Sequence, residues 1–288
     1  MQTLAFVSDI HGNLPALQAV ERDMATQSVD VVVNLGDALS GPLLARETAH
    51  WLMQRDAHSE SMPWRHIAGN HDRQLLAAHR RLSGGQPVRN PTDSDHLAAL
   101  QLDAAALAWL QDLPPSIQPD LWQGAWNPAL LGHDVAVCHG SPKCDTEYLL
   151  DTPEGEQVRL ATTEELAERL TPLFPSHITL LACGHSHLPR NLIQPRNGAT
   201  NLQLLNPGSV GLPAYDDDTP YANSSYHRVE NGSPDARYAL ATRATPQTPW
   251  TISLRCVPYD HEPMARLAEQ SGRHDWAHAL RTGRMPRH

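Results

Sequence analysis

The chain has 288 residues, 40% of them hydrophobic with charge interspersed, the composition of an ordinary globular protein long enough to bury a large core in one domain or at most two. Net charge is -10, the basic residues are almost all arginine with Lys143 the one lysine, and no basic stripe suited to tracking a long nucleic acid is present. The N-terminus enters a strand with no basic n-region or apolar h-region, and no stretch reaches transmembrane length, so the expectation is a cytoplasmic location without membrane contact.

The first strand, Leu4 to Val7, runs into a helix marked by Leu14, Leu17, Val20 and Met24 at helical spacing, and the junction carries Asp9 and His11. In extended chain, residues two apart point the same way, so this carboxylate and imidazole are expected to leave the backbone together as the start of a metal site. Val29 to Leu35 is a continuous apolar strand ending at Gly36-Asp37. Leu43 to Asp56 has helical periodicity, and Arg65 to Ala68 is a short strand ending at Gly69-Asn70-His71-Asp72. Strand, acidic or His-rich turn, helix, repeated in this way, predicts an α/β core with a largely parallel sheet whose ligands gather beyond the carboxyl ends of its strands.

Asp93 to Leu113 reads as one helix stopped by Pro114-Pro115, while Ser116 to Gly132 has no clear pattern. Asp134 to Cys138 is a strand ending at His139-Gly140, Thr162 to Leu170 a short helix, and His177 to Cys183 a strand ending at Gly184-His185-Ser186-His187. The pair His185 and His187 repeats the spacing of Asp9 and His11. Short strands follow at Asn191 to Gln194, Leu202 to Leu205, Arg237 to Thr242 and Trp250 to Val257, and predict a mostly antiparallel second sheet. Asn206 to Gly211 leads into a polar excursion over 212–234, and a helical segment at 262–282 is interrupted at Gly272. No linker or repeat divides the chain, so residues 1–288 read as a single domain. Of the four cysteines two lie in apolar strands and none forms a Cys-x-x-Cys pair, which favours small buried thiols in a reducing compartment. With 17 histidines, an isolated one carries little meaning, and only the joint pattern at successive strand ends counts.

That ordered set, Ser8-Asp9-Ile10-His11-Gly12-Asn13, Gly36-Asp37, Gly69-Asn70-His71-Asp72, His139-Gly140 and Gly184-His185-Ser186-His187, resembles the successive motifs of the calcineurin-like metallophosphoesterase superfamily. Asn206 to Gly211 is similar to the following segment of its small bacterial phosphodiesterase-type branch. The resemblance implies a two-sheet β-sandwich flanked by helices, a four-layer fold, with two divalent metals at one edge. It implies Asp9, His11 and His187 on one metal, Asn70, His139 and His185 on the other, and Asp37 bridging both. Imidazole, carboxylate and amide ligands suit Mn, Fe, Zn, Ni or Co alike. Such a pair of ions, about 3.5–4 Å apart, shares a hydroxide for in-line attack on a small phosphodiester or phosphomonoester. Two dications, two carboxylates and that hydroxide sum to about +1, which attracts phosphate even in an acidic protein.

The resemblance also implies that His71 faces the substrate, as general acid or phosphate stabiliser. Asp72 either orients the His71 ring or is an acid favoured at a helix N-terminus. Asn70 and Arg73 are candidate substrate contacts, and Lys143 a further one, the alternative for Arg73 and Lys143 being simple surface solvation. Where many relatives of the small branch carry a basic residue, this chain has Asp216-Asp217-Asp218, which either faces solvent or binds a cation. A non-catalytic protein-interaction module on the same fold is the competing reading, and a nuclease is disfavoured by the missing basic groove. The expected partner is a small phosphate ester, with oligomeric state left open.

Overall fold

A computed structural model describes residues 1–58, 62–87, 90–114, 133–170, 176–196, 200–217 and 226–287. Strands β1 (Gln2–Val7), β2 (Val31–Asn34) and β3 (Trp64–His66) are parallel neighbours. On the other side of β1 lie β12 (Ala236–Arg243) and β13 (Thr251–Val257), both antiparallel, giving the order β13-β12-β1-β2-β3. These last two strands therefore extend the first sheet and do not belong to the second, as their position in the chain suggested. Strand periodicity reports which residues face a core but not which edge a strand will pair with. Here β1 is buried on both faces and needs partners along both sides.

The second sheet has the order β4-β7-β9-β8, with β4 (Val135–Val137), β7 (Leu180–Ala182) and β9 (Leu202–Pro207) parallel and only β8 (Pro189–Gln194) antiparallel. It is mostly parallel, correcting the antiparallel expectation. Leu4, Phe6, Val31, Val33 and Ile67 from the first sheet pack against Val137, Leu180, Ala182 and Leu205 from the second. The outer face of the first sheet is covered by helices α1 (Leu14–Met24), α2 (Ala45–His58), α3 (Asn70–Ser83) and α5 (Ala104–Asp112) through Leu17, Val20, Leu52, Leu75 and Leu110. The outer face of the second carries α6 (Thr163–Arg169), capped by Thr162 and Glu165 and held by Leu166. The result is helix, sheet, sheet, helix.

The helix expected over 93–113 is two: α4 (Ser94–Ala99) and α5, each opened by an aspartate. Asp93 accepts from the His96 amide and Asp103 from the Ala106 amide, both at 2.9 Å, so Asp103 restarts a helix where periodicity alone reads one continuous stripe. A small hairpin is formed by β5 (Asp151–Glu154) and β6 (Gln157–Leu160). The excursion after Gly211 contains another, β10 (Ala214–Asp217) paired with β11 (His227–Glu230). Asp218 and the unassigned stretch 116–132 lie outside the described residues. At the C-terminal side, α7 (Glu262–Gln270) and α8 (His274–Thr282) turn about Gly272, at φ 76°, and pack on Leu43, Leu212 and Ala214. Cys138 and Cys183 are buried, but Cys144 is half-buried and Cys256, on edge strand β13, is exposed, so the expectation of buried thiols holds for two of the four. Among the described residues no helix is long and apolar enough to cross a membrane.

Candidate metal centre

Past the carboxyl ends of the strands, the connecting loops are laced together by their backbones. The Asp9 amide donates to Gly36 O and the His11 amide to Asp37 O, both at 3.0 Å, and Gly184 donates to His139 O at 2.7 Å. Ser8 and Asp9 carbonyls accept from Val210 and Gly211 at 3.0 Å each. The space at that last contact is tight, since a Cβ on Gly211 would lie 1.8 Å from Ile10 O.

Asp9, His11, Asp37, His185 and His187 all have left-handed backbone, with φ between 50° and 67°. Such a conformation is uncommon for residues other than glycine, and five of them at one edge mark strain held in place by the surrounding fold. The pairs Asp9/His11 and His185/His187 therefore do not converge because the chain is extended. The strands end at Val7 and Ala182, and left-handed turns beyond them aim the side chains.

The ligand atoms of Asp9, His11 and His187 form one group and those of Asp37, His139 and His185 another, within 4.8 Å in each. His11 Nδ1–H donates to Ser40 O at 3.0 Å, His187 Nδ1–H to Leu212 O at 2.8 Å and His139 Nδ1–H to Leu35 O at 2.8 Å. Those bonds fix the tautomers and leave the Nε2 lone pairs facing inward. His11 Nε2 then lies 3.2 Å from His187 Nε2, and His187 Nε2 lies 3.3 Å from Asp9 Oδ1. In the second group His139 Nε2 sits 3.0 Å from Asn70 Oδ1 and 3.1 Å from Asp37 Oδ2. Asp9 Oδ1 and Asp37 Oδ2 are buried and accept no properly directed hydrogen bond. Lone pairs crowded to this degree repel unless a cation lies between them, so the donor set fits divalent metal in both groups.

The electrostatics agree. Burial, reinforced by His187, pushes His11 down to about 4, and burial with His139 pushes His185 down to about 3, so both rings are neutral and able to ligate. Burial opposes ionisation of Asp9, but His187 outweighs it and lowers the carboxyl to about 2. His139 is the exception: despite its burial, Asp37 raises it to about 9, so in metal-free protein a proton stands where a cation would bind.

Asp72 does not orient the His71 ring. Its Oδ2 accepts the amides of Asp37 at 2.8 Å and Gly69 at 2.9 Å, and its Oδ1 accepts that of Ala38 at 3.1 Å. It clamps the Asp37 loop to the start of α3. The partner of His71 is Asp95, whose Oδ1 lies 3.1 Å from Nδ1, and no motif in the sequence distinguishes that residue. Burial opposes a charge on His71, yet Asp95 and Asp37 outweigh it and hold the ring up to about 10. Arg73 is 59% exposed and grips Asp145 with Nη2 2.9 Å from Oδ2, outside the cavity above the metal ligands. Lys143 Nζ donates to Glu168 O.

That cavity, of about 480 Å³, has His11, Asp37, Asn70, His71, His185 and His187 on its lining. It also has residues that sequence reasoning missed. Tyr215 from β10 donates its hydroxyl to His185 O at 3.1 Å and sets its ring 4.6 Å from that of His187. Trp276 from α8 meets the His11 ring edge-on at 5.8 Å. Arg273, just before α8, completes the wall. The only cue for Trp276 and Arg273 is amphipathic helix spacing, which describes a core face as readily as a site.

Residues 2–228 match the family model of the calcineurin-like phosphoesterase superfamily domain. The chain is similar in structure to a metallophosphoesterase from Sphaerobacter thermophilus, with a TM-score of 0.64 at 22% identity, covering 98% of this chain and 99% of that one. YfcE, a phosphoesterase from E. coli, aligns with a TM-score of 0.35 at 18% identity over 89% of this chain and 100% of that one. No curated protein is significantly similar to the chain.

Proposed function

The chain belongs to the calcineurin-like phosphoesterase superfamily, and from that premise we propose that it is a dinuclear metal-dependent phosphoesterase hydrolysing a small phosphodiester or phosphomonoester. The observation that carries this reading is the pair of ligand groups, Asp9/His11/His187 and Asp37/His139/His185 with Asn70, whose acceptor atoms face one another with Asp9 Oδ1 and Asp37 Oδ2 unpartnered. Divalent ions held there supply Lewis acidity toward the phosphoryl oxygens and a nucleophile active near neutral pH.

The remaining work falls to the protein. Asp37, in the second group, is held from behind, its amide on Asp72 and its Oδ1 accepting the His71 amide at 2.8 Å. His71, on the cavity wall with Nδ1 engaged by Asp95, keeps Nε2 for the substrate and carries the proton that the departing alkoxide needs. Backbone carbonyls of Leu35, Ser40 and Leu212 fix the three ligating rings in one tautomer, so no reorganisation is required when charge develops. The family's preferred ions are not distinguished by this donor set, and Mn is the ion chosen for assay.

Elemental analysis of protein loaded with Mn, with turnover of bis-p-nitrophenyl phosphate and p-nitrophenyl phosphate, tests the proposal. Both ester classes being inert, with less than one metal bound per chain, overturns it in favour of a non-catalytic interaction module.

A further inference from the structure

The segment Gly184-His185-Ser186-His187 supplies one candidate ligand to each metal group, His187 to the first and His185 to the second. Both histidines are left-handed, at φ 67° for His185 and 55° for His187, a shape that so short a turn does not hold by itself. Its polar atoms are gripped from several sides. Asn206 Nδ2 donates to Gly184 O at 2.7 Å, the Tyr215 hydroxyl to His185 O at 3.1 Å, and Asn231 Nδ2 to His187 O at 2.9 Å. Each of these neutral groups holds a backbone carbonyl. Ser186, between the two histidines, is held instead through its side chain. Its buried hydroxyl accepts from Asn206 Nδ2 at 3.2 Å and donates to Asp151 Oδ2 at 2.6 Å. A hydroxyl-to-carboxylate bond of that length is of the strong, charge-assisted kind.

Asp151 begins β5 and belongs to none of the strand-end motifs. Its carboxylate is completely buried, a costly place for a charge unless every lone pair is used. Arg190 matches that charge, its Nε and Nη2 reaching Oδ1 at 2.9 and 2.8 Å, which leaves Oδ2 for Ser186. Arg190 lies three residues after His187, near the start of β8, so the ion pair closes a ring around the turn. The Asp151 backbone is fixed as well, its carbonyl accepting Arg169 Nη1 from α6 at 3.0 Å. A buried ion pair contributes little stability beyond an apolar pair of the same size, so stability alone does not account for one placed under this turn. We propose that Asp151 is a positioning residue for the metal-ligand turn, acting through Ser186 to hold His185 and His187 at the spacing both groups need. The β5–β6 hairpin is then the element that delivers it. The proposal rests on the metal-dependent reading of the site and extends it to a residue outside the cavity.

Co(II) binding and amide hydrogen exchange of Asp151→Asn, Ser186→Ala and the double variant test it. Ser186→Ala leaves the Asp151–Arg190 pair in place, so it keeps the test open should Asp151→Asn fail to fold. Groups that orient metal ligands contribute about 10–100-fold to affinity, so each single variant should bind Co(II) about tenfold more weakly. The visible absorption of the bound ion should also change, whereas a loss of stability alone leaves the spectrum of bound, folded protein as it is. The double variant should match the weaker single one, because Asp151 acts through Ser186. In metal-free Ser186→Ala, exchange over 184–187 should quicken about tenfold while that of β1 and β12 stays the same. Wild type that binds no Co(II) would count against the phosphoesterase reading alone, since exchange in metal-free protein still reads the hold on the turn. An unchanged spectrum or unchanged exchange over 184–187 in Ser186→Ala, or a double-variant loss equal to the product of the single losses, overturns the proposal.

Discussion

Replacing Asp72 by asparagine separates the two things this buried carboxylate does. With a single acceptor, the asparagine keeps the Asp37 and Gly69 amides and turns its own NH2 toward the Ala38 amide, leaving a buried donor unpaired. That loss costs on the order of 1–3 kcal/mol, and the bonds that remain are weaker for being uncharged. Against this, burial and the neighbouring Asp37 push the Asp72 carboxyl from 3.8 up to about 6. Holding it ionised above pH 6 in the fold costs on the order of 3 kcal/mol, a cost the asparagine lacks. The folded value lies above the unfolded one, so this destabilisation is fully present above about pH 6 and fades as pH falls toward 3.8. Urea unfolding of metal-free protein should therefore show the two proteins close in stability at about pH 8, and the wild type gaining about 2 kcal/mol over Asp72→Asn at about pH 4.5. Mn affinity at neutral pH should fall in the variant, because the Asp37 loop loses its clamp. A stability difference that is the same at both pH values would refute the reasoning.

His71→Asn should retain the metal content of the wild type, since the ring is in neither candidate ligand group, and should lose about 10²–10⁴ in turnover of esters with alkyl leaving groups while p-nitrophenyl esters suffer less. Metal content and paired leaving-group kinetics check this, and full turnover of alkyl esters would remove His71 from the acid role. Gly211→Ala forces a Cβ to within 1.8 Å of Ile10 O, a clash of the new methyl with a backbone carbonyl that no rotamer change can relieve. A loss of about 3 kcal/mol or more is expected, read by thermal unfolding, and a melting temperature within about 2 °C of wild type would mean the loop yields more easily than the packing suggests.

The candidate ligands were legible because each sits at the end of an apolar strand followed by glycine or a helix start, so their convergence follows from parallel strands alone. Their aim was not legible. Alternation along an extended chain accounts for Asp9 and His11 pointing together, but the structure achieves it with left-handed residues, and local strain of that kind is imposed by tertiary contacts such as Val210 on Ser8. The assignment of strands to sheets failed for a related reason: β12, with β13 paired behind it, finds β1 across more than two hundred residues, as in Thr242 opposite Thr3, and local periodicity contains no record of that pairing. Asp95 and Arg273 escaped notice because an acid in a helix's first turn and an arginine beside an acid are ordinary surface patterns, and only the fold brings Asp95 to the His71 ring and Arg273 to the cavity.

The separation of the ligands along the chain also bears on how the protein is made. Asp9 and His11 leave the ribosome first, but their partner His187 follows 176 residues after His11, and Trp276, packed on the His11 ring, comes later still. No nascent segment holds a complete ligand group, and contacts of such long range form late and slowly. Completion of either ligand group therefore waits on the docking of the two sheets, and the cavity wall formed by α8 is the last to close. A chain truncated before α8 should thus leave the His11 ring bare of its tryptophan cover, with the metal edge assembled but its chamber open.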